Sequence, residues 1–163
     1  GCQLMLKIWL TLLLAATLVT GCGFRLKGSY QLPESLSKIA ISSEDPQGEL
    51  AKILKRQLSL RNSEVVQQTT ANLPLVRLYK DKLDRRTLSL FPNGQVAEYE
   101  LIYSVSYEVR MPAQEPQQYA FELFRDYKDD PNAVLAKSRE MSLIIKEFRQ
   151  LASDKIMQQL AQL

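Results

Sequence analysis

The chain has 163 residues, with 21 Lys and Arg against 18 Asp and Glu, a formal charge of +3, no His and two Cys. Such a near balance gives no support for a general nucleic-acid binder, which carries a strong basic excess. The absence of His removes the commonest general base and metal ligand, and no phosphate loop or nucleophile motif is present.

Met5 to Cys22 comes first in the chain. Lys7 precedes an apolar run from Ile8 to Val19, and Thr20-Gly21 leads into Cys22. This is the layout of a bacterial export signal with a cysteine just after the cleavage site. Val19-Thr20-Gly21-Cys22 resembles a lipobox, so a covalent lipid is expected on Cys22. An apolar run of about a dozen residues falls short of the ~20 that span a bilayer. Residues 1–21 are therefore assigned to the signal, with Met5 as the expected initiator and residues 1–4 lying ahead of it. Cys2 would leave with the signal, and an acylated Cys22 is not a thiol. No disulfide, thiol chemistry or Cys/His zinc site is expected. Asp after the lipidated cysteine commonly retains bacterial lipoproteins at the inner membrane. Gly23 stands there instead, which favours the outer membrane, on its periplasmic side.

Removing residues 1–21 leaves 142, with 20 basic and 18 acidic side chains. That suffices for one core and not comfortably for two. Residues 22–34 read as a lipidated N-terminal tether, and residues 35–163 as a single domain.

Within the domain, Lys38 to Ser42 reads as a short internal strand. Asp45 suits a helix N-cap and Pro46 the first helical position. The helix is expected to run to about Arg61, with Asn62 as its stop. Leu50, Ile53, Leu54 and Leu58 share one face, and Glu49, Lys52, Lys55, Arg56 and Ser59 the other. Glu64-Val65-Val66 adds a short strand. A less regular strand follows from about Leu75 to Leu90, carrying Arg77, Lys80, Lys82, Arg85 and Arg86. Phe91-Pro92-Asn93-Gly94 places Pro for a tight turn and Gly for a left-handed position. From Gln95 to Met111 the alternation is continuous, with Ala97, Tyr99, Leu101, Tyr103, Val105, Tyr107, Val109 and Met111 on one side. Period two over that length is a half-buried antiparallel strand, its Tyr residues read as core. A reversal through Pro112–Pro116 leads to a strand over Gln118–Tyr127. Asp129-Asp130-Pro131-Asn132 is expected to cap a long C-terminal helix, with Ser138 a candidate break. Met141, Ile145, Phe148, Ala152, Ile156, Gln159 and Leu163 trace its buried stripe, widened by Ile144, Leu151 and Leu160. The fold class is α+β: a two-layer sandwich, with a mostly antiparallel sheet of about four strands and two helices packed on one face.

Three stretches in order carry a resemblance. They are Gly21-Cys22-Gly23-Phe24-Arg25-Leu26-Lys27-Gly28, then Asn93-Gly94-Gln95-Val96-Ala97-Glu98-Tyr99-Glu100-Leu101, then Leu135-Ala136-Lys137 with Lys146-Glu147. Together they resemble the LPS-assembly lipoprotein family (LptE, also called RlpB) over essentially the whole chain after the signal. The resemblance implies an outer-membrane lipoprotein that plugs a large β-barrel partner, LptD, binds lipopolysaccharide and helps place it in the outer leaflet. It implies no enzyme activity and no cofactor beyond the lipid on Cys22. Two basic residues are associated with ligand binding in the family. One matches Lys137; the other directly precedes Asn-Gly, where this chain has Pro92. Lys82, Arg85 or Arg86 is then expected to supply that charge. An accessory adapter of another outer-membrane assembly machine is the alternative. Glu98 and Glu100 share a strand face and admit acid–base chemistry in principle, although their alternation with core residues makes a solvated face the better reading.

Overall fold

The computed structural model describes residues 1–17, 31–67 and 70–163. Cys22, the cleavage site and the tether as far as residue 30 lie outside the described residues. A first helix, α1 (Cys2–Thr17), falls within the assigned signal. No helix among the described residues is long and apolar enough to cross a membrane.

The domain follows in the order β1 (Lys38–Ser43), α2 (Glu49–Leu60), β2 (Glu64–Val66), β3 (Leu75–Leu78), β4 (Lys82–Leu90), β5 (Val96–Arg110), β6 (Gln117–Lys128) and α3 (Val134–Leu160). It is the expected α+β sandwich, with six strands among the described residues. The stretch read as one strand over Leu75–Leu90 divides into β3 and β4, which pair in line with the same edge of β5. Between them the register moves by one residue: Leu78 faces Tyr107 and Lys82 faces Ser104. That is a bulge at Tyr79–Asp81, with one extra residue on the β3–β4 side. β6 lines the other edge of β5, while β1 joins β3 and β2 in parallel.

Both long helices cover one face of this sheet. Leu50, Leu54 and Leu58 of α2 and Ile144, Phe148, Ala152, Ile156 and Leu160 of α3 are buried. They meet Leu101, Tyr103, Val105, Tyr107 and Val109, the alternate residues of β5. Tyr103 and Phe148 stack with ring centres 5.4 Å apart. Each fully buried aliphatic side chain contributes about 1.5–3 kcal/mol relative to an exposed one. The Tyr103 hydroxyl bonds to Asp81, placed there by the bulge, while Arg149 Nε of α3 lies 3.8 Å from the same carboxylate. Burial and the Asp81 charge push the Tyr103 pKa up, so the hydroxyl stays a donor.

Local chemistry moved several boundaries. Asp45 does not cap α2. Ser43 Oγ accepts from the Asp45 amide at 3.1 Å, and the Asp45 carbonyl accepts from Gly48 N–H at 2.9 Å. Asp45 and Pro46 are thus spent in a turn, and Gly48 precedes the helix. A Cβ at Gly48 would meet the Asp45 carbonyl oxygen at 3.0 Å, a backbone atom that the turn holds in place, which favours glycine there. Asn62 stops the helix as expected, at φ 61°. α3 is unbroken at Ser138 and follows Ala133 rather than Asn132. Its buried stripe turns toward Ser153 and Met157, leaving Leu151 53% and Leu163 39% exposed. Packing beside α2 causes this shift, since Gln57 of α2 donates to Asp154 at 2.8 Å.

Candidate functional site

The hairpin joining β4 to β5 is closed by Gly94 N–H donating to the Phe91 carbonyl at 2.9 Å and by Phe91 N–H donating to Gln95 at 2.7 Å. Gly94 sits at φ 85°, the left-handed region that glycine enters without steric cost. This turn fixes how β4 is aimed. Lys82 then pairs with Ser104 and Arg86 with Glu100, whereas Arg85 pairs with Leu101. Leu101 is buried in the core, so Arg85 lies on the helix-covered face, and Lys82 and Arg86 lie on the bare one.

The four predicted cations therefore do not form one cluster. On the bare face Arg86 donates to Glu100 at 2.6 Å. Glu98 accepts from Ser89 at 2.7 Å and lies 3.9 Å from Lys128. Each of the two carboxylates is held by its own neighbour, the arrangement of a solvated surface network.

On the covered face the structure brings Arg85 and Lys137 toward one place. The Arg85 guanidinium lies 4.9 Å from the centre of the Tyr99 ring. Tyr99 stands directly opposite Tyr127 across the β5–β6 ladder. The Lys137 ammonium lies 4.8 Å from the centre of the Tyr127 ring. Arg85, Tyr99, Tyr127 and Lys137 thus form a ledge crossing three strands and the start of α3, with a cation at each end. Such cation–ring contacts are worth about 0.5–1 kcal/mol when exposed.

Tyr127 anchors the ledge. Its hydroxyl donates to the Lys137 carbonyl at 3.1 Å, tying the first turns of α3 to β6. Burial raises its pKa, partly offset by the Lys137 charge, so it remains a donor. The Lys137 ammonium donates to Glu140 at 2.6 Å. That carboxylate raises the lysine pKa and keeps it cationic at neutral pH. In the first turn of α3, just before Lys137, Val134 and Leu135 are 72% and 67% exposed. Cations, aromatic rings and aliphatic side chains gathered in one region suit an amphiphilic anion, whose charged head and apolar body need both kinds of surface.

The sequence reading took Tyr99 for core and passed over Glu140, although Glu140 stands three residues after Lys137, the spacing at which helical side chains meet. Among the described residues no group of His, Cys, Asp and Glu is placed to hold a metal. A separate groove of about 470 Å³ lies between α2 and α3, lined by Ile53, Arg56, Lys146 and Arg149 among others. It contains none of the predicted site residues.

A model of the family described as lipopolysaccharide-assembly, LptE, matches residues 36–160. The LPS-assembly lipoprotein LptE of Pectobacterium atrosepticum is 32% identical over 152 residues, covering 93% of this chain and 83% of that protein. That of Photorhabdus laumondii is 37% identical over 153 residues, covering 93% and 84%. Among solved structures, rare lipoprotein B from Shewanella oneidensis is 46% identical with a TM-score of 0.71, covering 77% of this chain and 94% of that one. A lipoprotein B from Nitrosomonas europaea is 25% identical with a TM-score of 0.67, covering 86% and 91%.

Proposed function

From the premise that this chain belongs to the lipopolysaccharide-assembly family LptE, we propose that it is a non-enzymatic outer-membrane lipoprotein of the lipopolysaccharide translocon. Lipid on Cys22 anchors it at the periplasmic face, and an LptD-type β-barrel is its protein partner, which it plugs and helps to assemble. Lipopolysaccharide is its ligand, handed on toward the outer leaflet.

The observation that carries the ligand part is the ledge. Arg85 and Lys137 stand at its two ends, where they can pair with the phosphates of lipid A through charge-assisted hydrogen bonds. The exposed Val134 and Leu135 begin the same helix just ahead of Lys137 and can meet acyl chains. Of the three β4 cations weighed for the charge that Pro92 does not supply, Arg85 is the one on the ledge. Lys82 and Arg86 face the other way.

Binding of purified lipopolysaccharide to the full chain in neutral detergent tests this division. Arg85→Glu and Lys137→Asp are expected to weaken binding, while Lys82→Glu and Arg86→Glu leave it near wild type. Equal losses from both faces would mean diffuse charge attraction and remove the ledge as a site. For the anchor, Cys22→Ala should abolish palmitate labelling and release the protein from membranes, since each buried lipid CH₂ contributes about 0.8 kcal/mol. Purification from native membranes should bring a large β-barrel with it; a different barrel from the lipopolysaccharide translocon's would favour the adapter reading.

A further inference from the structure

The two cations of the ledge are not equally available. Arg85 is exposed, whereas the Lys137 side chain is only 18% exposed. The Tyr127 ring lies on one side of its ammonium at 4.8 Å and the Glu140 carboxylate binds it at 2.6 Å. Tyr127 is itself 6% exposed and holds the backbone of the same helical turn through its hydroxyl. Glu140 keeps 48% of its side chain in solvent, so its carboxylate has room to swing away from the lysine.

We propose that Glu140 is a built-in counter-anion that closes Lys137 in the unliganded protein, that Tyr127 is the positioning residue holding the lysine in place, and that an anionic lipid headgroup enters by exchanging for the Glu140 carboxylate. This rests on the reading of Lys137 as a ligand contact and adds how that contact is gated. Exchange keeps the ammonium beside an anion at every stage, so the lysine does not face the ring and the sheet without a counter-charge. It also selects the ligand. A phosphate group offers more acceptor oxygens and more charge than a carboxylate, so it displaces Glu140 where a carboxylate-bearing lipid competes on equal terms and a neutral one fails.

The probe is bis-phosphorylated lipid A in neutral detergent micelles, titrated against the full chain, with a carboxylate-bearing fatty acid in the same micelles as comparison. Glu140→Gln keeps the shape and removes the charge. It should tighten lipid A binding roughly two- to fivefold, the release of one exposed ion pair, and tighten fatty-acid binding more, so that preference for phosphate falls. Lys137→Gln should weaken lipid A binding, and in the Glu140→Gln/Lys137→Gln double variant the gain should vanish. Tyr127→Phe keeps the ring and should retain most binding, whereas Tyr127→Leu, which removes the ring from a buried position, should lose it. Glu115→Gln, in the exposed loop between β5 and β6, removes the same charge elsewhere and should change nothing. A matching gain in Glu115→Gln would reduce the effect to net charge and overturn the proposal. No weakening in Lys137→Gln would overturn the site itself. Weakening in Lys137→Gln without any gain in Glu140→Gln would leave the site standing and remove the counter-anion.

Discussion

The two ends of the sheet are built from the same strand and serve opposite ends. Toward its C-terminus, β5 is packed under both helices, with Val105, Tyr107 and Val109 no more than 3% exposed. Toward its N-terminus Tyr99 is only partly covered, and beside it Val134 and Leu135 of α3 are 72% and 67% exposed. Element lengths explain the contrast. At ~3.3 Å per residue the 15 residues of β5 extend about 50 Å. At 1.5 Å per residue α3 with 27 residues reaches about 40 Å, but α2 with 12 reaches only about 18 Å. One helix alone roofs the far end, and the uncovered strip is where the ledge lies. Stability is concentrated where two helices meet the sheet, and recognition where one is missing.

Five substitutions would break or sharpen this contrast. The largest effect is expected at the covered end: Leu54→Ala, at a residue with no exposed surface, should cost about 2–5 kcal/mol. Leu135→Ala at the open end should stay within about 0.5 kcal/mol. Equal shifts in urea unfolding midpoint would show that the two ends are not energetically distinct. Next comes Lys137→Asp, expected to raise the dissociation constant for lipopolysaccharide on the order of tenfold by adding repulsion to a lost contact, with the unfolding midpoint unmoved. A loss of fold in that variant would place Lys137 with the core instead. Gly94→Val forces a branched side chain into a left-handed turn and should destabilise by about 1–3 kcal/mol. Because the turn aims β4, calorimetry and lipopolysaccharide binding should both respond, and an unchanged melting curve would contradict the turn geometry. Arg86→Ala, which removes an ion pair whose arginine is 66% exposed, is expected to have an effect similarly small to that of Leu135→Ala. It should cost less than about 1 kcal/mol and leave lipopolysaccharide affinity within twofold, whereas a strong binding defect would move the site to the bare face.

What the sequence disclosed follows from how local each signal is. Pro92 and Gly94 set their own dihedral preferences, so the hairpin was legible residue by residue. The alternation of β5 was equally plain, because a long central strand with one face under helices must repeat every second residue. The stripe of α3 was legible only in part. Helical periodicity marked Phe148, Ala152 and Ile156, but burial of Ser153 and exposure of Leu151 depend on where α2 lies. No window along α3 contains that information. The site was legible least. Lys137 entered through a family resemblance and not through any local pattern. Alternation alone parts Arg85 from Lys82 and Arg86, but the bulge at Tyr79–Asp81 reverses the faces that Val76 and Leu78 set in β3, and no Gly or Pro announces it. Tyr99 looked like plain core because the same alternation that buries Tyr103 continues past the edge of the helical roof, while Tyr127, 6% exposed, is core and ledge at once.

The bulge also decides where the gene can lose a codon. β3 and β4 pair with one strand a single residue out of step, so a deletion at Lys80 joins them into a regular ladder and leaves Arg85 opposite Leu101. The same three-nucleotide loss at Thr87, between Arg85 and the turn, moves Arg85 to the bare face opposite Glu100 and brings Arg86 opposite Tyr99. Lineages descended from a common ancestor should accordingly differ in length around Tyr79–Asp81 while keeping the count from Leu83 to Thr87 fixed.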